Sequence, residues 1–111
     1  SYSLIKRGEG IDTVRLRGLE IRVLAKTDRF SAKIMILEPG ASTGGLYTHE
    51  GNEFHWVLEG KLVMTLGEEK IIVEKGDAIQ YSSQVPHAWD NGNERTEILT
   101  INSPPYVYAP R

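Results

Sequence analysis

Hydrophobic positions along this chain recur with a period of two in short runs, and no segment sustains the 3.6-residue apolar period of a helix. Ile11, Val14, Leu16, Leu19, Ile21, Val23 and Leu24 fall into two strand-like pieces with Gly18 between them. Residues 30–37, Phe-Ser-Ala-Lys-Ile-Met-Ile-Leu, make a further β-type run that Pro39-Gly40 ends. A Gly/Ser/Thr-rich loop from Ala41 to Gly45 follows, placed to form a connector or the rim of a pocket. From there the pattern predicts strands over 54–58, 61–66, 71–73, 78–82, 87–89 and 96–102. The turn residues between them are Glu59-Gly60, Gly67-Glu68-Glu69, Lys75-Gly76-Asp77 and Asp90-Asn91-Gly92-Asn93. Short strands divided by turns at this rate predict an all-β sandwich or barrel.

Alternation within one run has a consequence of its own. Side chains on successive strand residues point to opposite faces, so Glu53, His55 and Val57 share one face while Phe54, Trp56 and Leu58 share the other. If the polar set faces inward, the outward row is too apolar for water. Either the N-terminal strands cover it or a second copy of the chain does, as a homodimer.

Composition narrows the class. A chain of 111 residues, 40% hydrophobic and 25% charged, predicts a single folded domain over 1–111 rather than a disordered segment. It contains no Cys, which excludes disulfides and thiolate ligands. No apolar run approaches the ~20 residues of a membrane helix, and no secretory signal stands in these residues, so the expected location is cytoplasmic, without membrane contact. The net charge of −2 gives no general attraction to nucleic acid. Residues 1–33 nonetheless hold eight basic and four acidic side chains, interspersed as on a solvated face.

The candidate chemistry lies in Tyr47-Thr48-His49-Glu50-Gly51-Asn52-Glu53-Phe54-His55 and in Pro86-His87. Two imidazoles and a carboxylate on one face of a divalent ion leave positions open for water or substrate, an arrangement suited to iron. Zinc accepts the same donors. His49, Glu53 and His87 are therefore the candidate metal ligands. His55, inward beside Glu53, is a candidate acid/base or ligand-binding group. Tyr47, Gln84 and Trp89 are candidate pocket residues, with Trp89 on the face of His87.

The spacing His49, Glu53, Gly60 resembles the first motif of the cupins, and Gly76, His87, Asn91 keep the spacing of the second. Ser82 and Gln84 stand where that second motif has Pro and Gly. Tyr47 stands where the first usually has another His. Over about residues 34–106 the chain resembles one cupin subgroup in particular, carried by Tyr47-Thr48-His49-Glu50-Gly51, Val57-Leu58-Glu59-Gly60, Pro86-His87-Ala88-Trp89 and Ser103-Pro104-Pro105. That subgroup forms the C-terminal sensor half of helix-turn-helix regulators, where a Tyr in place of the first His is common. The metal site is also similar to that of hydroxypropylphosphonate epoxidase, an iron enzyme.

The resemblance implies a cupin double-stranded β-helix, a jelly-roll-like barrel, holding Fe, Zn, Mn or Ni. It implies a small-molecule ligand, a homodimer, and a role as the ligand-sensing part of a transcriptional regulator. The alternative is a metal-dependent oxygenase or isomerase of the cupin type. No predicted helix here can enter a DNA groove. The chain opens on Ser1 rather than Met, so DNA contact is expected only through an upstream segment.

Overall fold

The computed structural model describes residues 1–106. Nine strands are found among them: β1 (Asp12–Leu16), β2 (Leu19–Lys26), β3 (Ser31–Leu37), β4 (Asn52–Glu59), β5 (Lys61–Leu66), β6 (Glu69–Glu74), β7 (Ala78–Ser82), β8 (His87–Trp89) and β9 (Thr96–Ser103). Each coincides, within a few residues, with a run read from the alternation. No helix long and apolar enough to cross a membrane is present among the described residues.

The strands form two antiparallel sheets, one ordered β1-β2-β3-β9-β4-β7 and the other β6-β5-β8. The sheets pack face to face, and the core between them holds Leu37, Val57, Leu62, Met64 and Ile98, all at most 1% exposed. These side chains come from four strands, β3, β4, β5 and β9, and from both sheets, so the core forms only when the two sheets pack together.

Two glycines are required by close approaches. Gly60 turns β4 into β5 with φ of 75°, and a Cβ there would collide with the Arg95 carbonyl and the Thr96 hydroxyl. Gly51 enters β4 with φ of 97°, and a Cβ would strike the Ser103 carbonyl. Both positions combine a left-handed backbone with no room for a side chain.

On β4 the burial alternates as the sequence predicts, with Glu53, His55 and Val57 buried. The opposite row behaves unevenly. Phe54 and Leu58 are half-buried, whereas Trp56 remains 43% exposed. Register places Trp56 beside Leu99 and Leu99 beside Ile34, so an apolar band crosses the outer face of the large sheet. The N-terminal segment borders one end of that band, where Ile5, Lys6 and Arg7 line a groove with Arg22, Leu24 and Ile34, and none of the residues lining that groove is Trp56 or Leu99.

Candidate metal centre

Three backbone devices bring the candidate ligands together from distant parts of the chain. Glu53 projects inward from β4, where it pairs with Tyr81 on β7 and Asn102 on β9. His87 begins β8 in the other sheet, and Tyr47 and His87 exchange backbone hydrogen bonds of 2.8 and 3.0 Å. The loop carrying His49 is fixed at both ends, since His49 N–H donates to the Ser83 carbonyl and Ser83 N–H to the Gly51 carbonyl. The ligand set therefore spans the sandwich.

His49 Nε2 lies 3.2 Å and His87 Nε2 2.8 Å from the same oxygen, Oε2 of Glu53. One donor atom from each of the three residues lies within 4.8 Å of the other two. The opposite ring nitrogens are tied down: His87 Nδ1 lies 2.8 Å from the Val85 carbonyl and His49 Nδ1 3.2 Å from that of Glu50. A carbonyl only accepts, so each Nδ1 carries a proton, and whenever Nε2 is unprotonated its lone pair faces the carboxylate. Lone pairs facing a carboxylate repel unless a cation lies between them. His49 Nε2 and Glu53 Oε2 are moreover buried without a well-directed hydrogen bond. This donor set fits a divalent ion.

Electrostatics agree with that fit. Burial alone would raise the Glu53 carboxyl, but the close approach of the His87 imidazole, with smaller help from His55 and Asn102, holds it at about 2. The carboxylate is thus ionised throughout the physiological range, as a metal ligand must be. Burial opposes the charged form of His87, yet its contacts with Glu53 and the Val85 carbonyl win and raise its pKa.

His55 takes a supporting position. Its Nδ1 lies 2.8 Å from Thr100 Oγ1 and its Nε2 2.8 Å from the Tyr81 hydroxyl. Burial lowers its pKa to about 4, so the ring is neutral. Burial and the neighbouring Glu53 push the Tyr81 phenol up, keeping it protonated. The Tyr81 and Thr100 hydroxyls thus hold the His55 ring from both sides, and Tyr81 stands opposite Glu53 in the β4–β7 register.

Around these groups lies a cavity of about 30 Å³, lined by Tyr47, His55 and Trp89 as the sequence predicts, and also by Lys33, Thr43, Thr100 and Tyr106. Gln84 is not among them. The alternation of β7 continues into the turn, burying Tyr81 and Ser83 and turning Ser82 and Gln84 to solvent. Gln84 N–H is engaged with Ser82 Oγ, and the residue serves the turn.

Lys33 and Tyr106 are absent from any motif. Lys33 is 4% exposed on the inner face of β3, and its ammonium donates to the Tyr106 carbonyl at 2.8 Å. The Tyr106 ring stacks on His49, 3.6 Å between centroids and 4° from parallel, and closes the cavity. Lys33 shares a phase with Met35 and Leu37, so once the structure sets that face of β3 inward, Lys33 is inside with them.

Comparison with known proteins places this site in a family. The profile of the cupin domain matches residues 33–102. The chain belongs to the cupin family. This cupin is 44% identical over 63 residues to an uncharacterised protein of Methanocaldococcus jannaschii, a match covering 56% of the chain and 49% of the relative. It is 32% identical over 54 residues to the HTH-type transcriptional regulator PuuR of Escherichia coli, covering 49% of the chain and 29% of the regulator. The chain thus aligns with half or less of either relative's length. Its fold matches KdgF from Halomonas with a TM-score of 0.81 at 22% identity, over 94% of each chain.

Proposed function

We propose that residues 1–111 form a ligand-binding cupin domain that holds one Fe, Zn, Mn or Ni ion on His49, Glu53 and His87 and senses a small molecule for a transcriptional regulator. The observation that carries this reading is the convergence of two imidazole lone pairs on one ionised carboxylate, with both Nδ1–H groups tied to backbone carbonyls. Three protein donors leave positions on the ion where a ligand can bind directly. When bound, the ion supplies positive charge and open coordination. The chain's own residues orient the carboxylate, exclude water and shape the cavity. Similarity to PuuR supports the regulatory role, in which a ligand acts by favouring one arrangement of the domain over another.

The second reading, a metal-dependent oxygenase or isomerase, shares this centre. It needs in addition a group free to move a proton, and both nitrogens of His55 are already engaged. The deciding experiment loads the protein with Fe(II) and, separately, with Zn(II) or Mn(II), and offers small acids, amines and phosphonates. Saturable binding without turnover is the expected result. Oxygen consumption or product formation that disappears in His49→Ala, Glu53→Ala and His87→Ala would instead assign an enzyme.

The outer band of Ile34, Leu99 and Trp56 supports a homodimer through the large sheet, burying at least ~1,000 Å² in total. Trp56→Asp is expected to convert the dimer to a monomer by light scattering at micromolar concentration. An unchanged mass would place the interface elsewhere.

A further inference from the structure

Lys33 is the least expected residue inside this barrel. A Lys ammonium is almost never fully buried unless it is paired, because desolvation costs several kcal/mol. Yet it stands 4% exposed on the inner face, in register with Thr100 and, across β9, with His55. Its hydrogen-bond acceptor is a neutral carbonyl, that of Tyr106. Among the described residues lining the cavity Glu53 is the only carboxylate, and its negative charge is the one a divalent ion would use.

Charge counting then points to the ligand. With Glu53 ionised and Lys33 protonated, the chain contributes no net charge to the cavity, and a bound divalent ion leaves it at +2. A positive enclosure of low dielectric favours an anion and rejects an ammonium. Lys33 also forms the wall between two spaces. On one side is the small cavity of the metal centre. On the other is a groove of about 360 Å³, lined by Ile11, Val14, Ile21, Val23 and Pro105 and sharing Lys33 and Tyr106 with the first. Ser31, one inward position before Lys33, also faces that groove and keeps its hydroxyl buried without a partner among the described residues. The groove is within the range of small-molecule sites, whereas the cavity alone holds about one water.

We propose that Lys33 is the anion-binding residue of this pocket and that the ligand is an organic carboxylate, its head between Lys33 and the metal centre and its apolar body in the groove beside β1 and β2. The Tyr106 carbonyl occupies the place of a carboxylate oxygen on Lys33, and the ligand's head displaces it. The role of the head rests on the metal-centre reading given above; the role of Lys33 stands on its own burial.

The test titrates acetate, hexanoate and hexylammonium into the full chain and its Lys33→Met variant by calorimetry, each with and without bound Co(II). Hexanoate is expected to bind the native protein at least about tenfold more tightly than acetate, since each buried methylene is worth up to about fourfold. Hexylammonium should not bind. Lys33→Met should weaken both acids by about 10- to 100-fold, the value of a hydrogen bond to a charged group. It should still bind one Co(II), at least as tightly as the native protein because a positive charge beside the ion is gone, and that retained binding shows the variant folded and the metal centre intact. Equal acid affinity in Lys33→Met and native protein would overturn the assignment of Lys33. Equal binding of hexanoate and hexylammonium would overturn the ligand class, and equal binding of hexanoate and acetate would overturn the groove. If Co(II) binds neither protein, the metal reading fails by itself. The metal-free titrations then decide Lys33: a loss of hexanoate binding in Lys33→Met sustains its role, and no loss overturns it.

Discussion

His87→Ala will lower divalent-metal affinity by at least ~100-fold, because losing a ligand costs more than the 10- to 100-fold typical of losing a ligand's supporting hydrogen bond. In the native protein one ion per chain is expected, and saturating metal should stabilise the fold. At a free metal concentration 100 times Kd the gain is about 2.7 kcal/mol, visible as a rise in unfolding midpoint that His87→Ala abolishes.

The protonation state sharpens this expectation. In the metal-free protein His87 Nδ1–H is held by the Val85 carbonyl and Nε2 lies 2.8 Å from the Glu53 carboxylate, a contact that is favourable when Nε2 is also protonated. Metal and proton therefore compete for one lone pair, and binding should release up to one proton per ion as pH falls below the raised pKa of His87. Affinity should accordingly weaken toward acid pH. Calorimetry in buffers of different ionisation enthalpy measures the released proton directly. No proton release at pH 6, or unchanged metal content in His87→Ala, would count against the centre.

Lys33→Met will make the protein more stable near neutrality. Burial lowers the Lys33 pKa from 10.5 to about 8, against a smaller opposing effect of Glu53. The unfolded chain thus binds this proton more tightly than the folded one. The resulting penalty on folding is complete below pH 8, where both states are protonated. It is relieved as pH rises from about 8 to 10.5, where only the unfolded state keeps the proton. The shift corresponds to roughly 3 kcal/mol at its upper limit. Loss of the charge-assisted hydrogen bond to Tyr106 offsets about 2 kcal/mol of that, which leaves a net gain of about 1 kcal/mol for Lys33→Met at pH 7. Denaturant titrations of both proteins at pH 7 and pH 10 give the difference and its slope. A less stable variant, or a difference that does not shrink between these pH values, would show that the ammonium is not penalised by its surroundings. A destabilising charge kept in a core is what binding, rather than folding, requires.

Period-two alternation determined the strands, because a strand half-buried between core and solvent must switch polarity at every residue. It put Glu53, His55 and Val57 on one face of β4, and that face is the buried one. Donor chemistry and the resemblance to the two cupin motifs proposed His49, Glu53 and His87 together, although 34 positions separate the last two. The same alternation, carried into the turn after β7, puts Gln84 outside, but a turn can break the phase and only the backbone path settles it.

What only the tertiary structure decided are contacts between elements remote in sequence. Both faces of β3 read as apolar, Ser31, Lys33, Met35 and Leu37 on one and Ala32, Ile34 and Ile36 on the other, so local pattern does not say which lies inward. The sheet order decides it, by setting β3 between β2 and β9 and turning Lys33 toward the other sheet. Likewise Tyr81 acquires its role from its register with Glu53, and Tyr106 from stacking on His49. A local sequence carries the periodicity of its own backbone. Which distant side chain completes a hydrogen bond, or takes a proton, is fixed by the packing of both sheets at once.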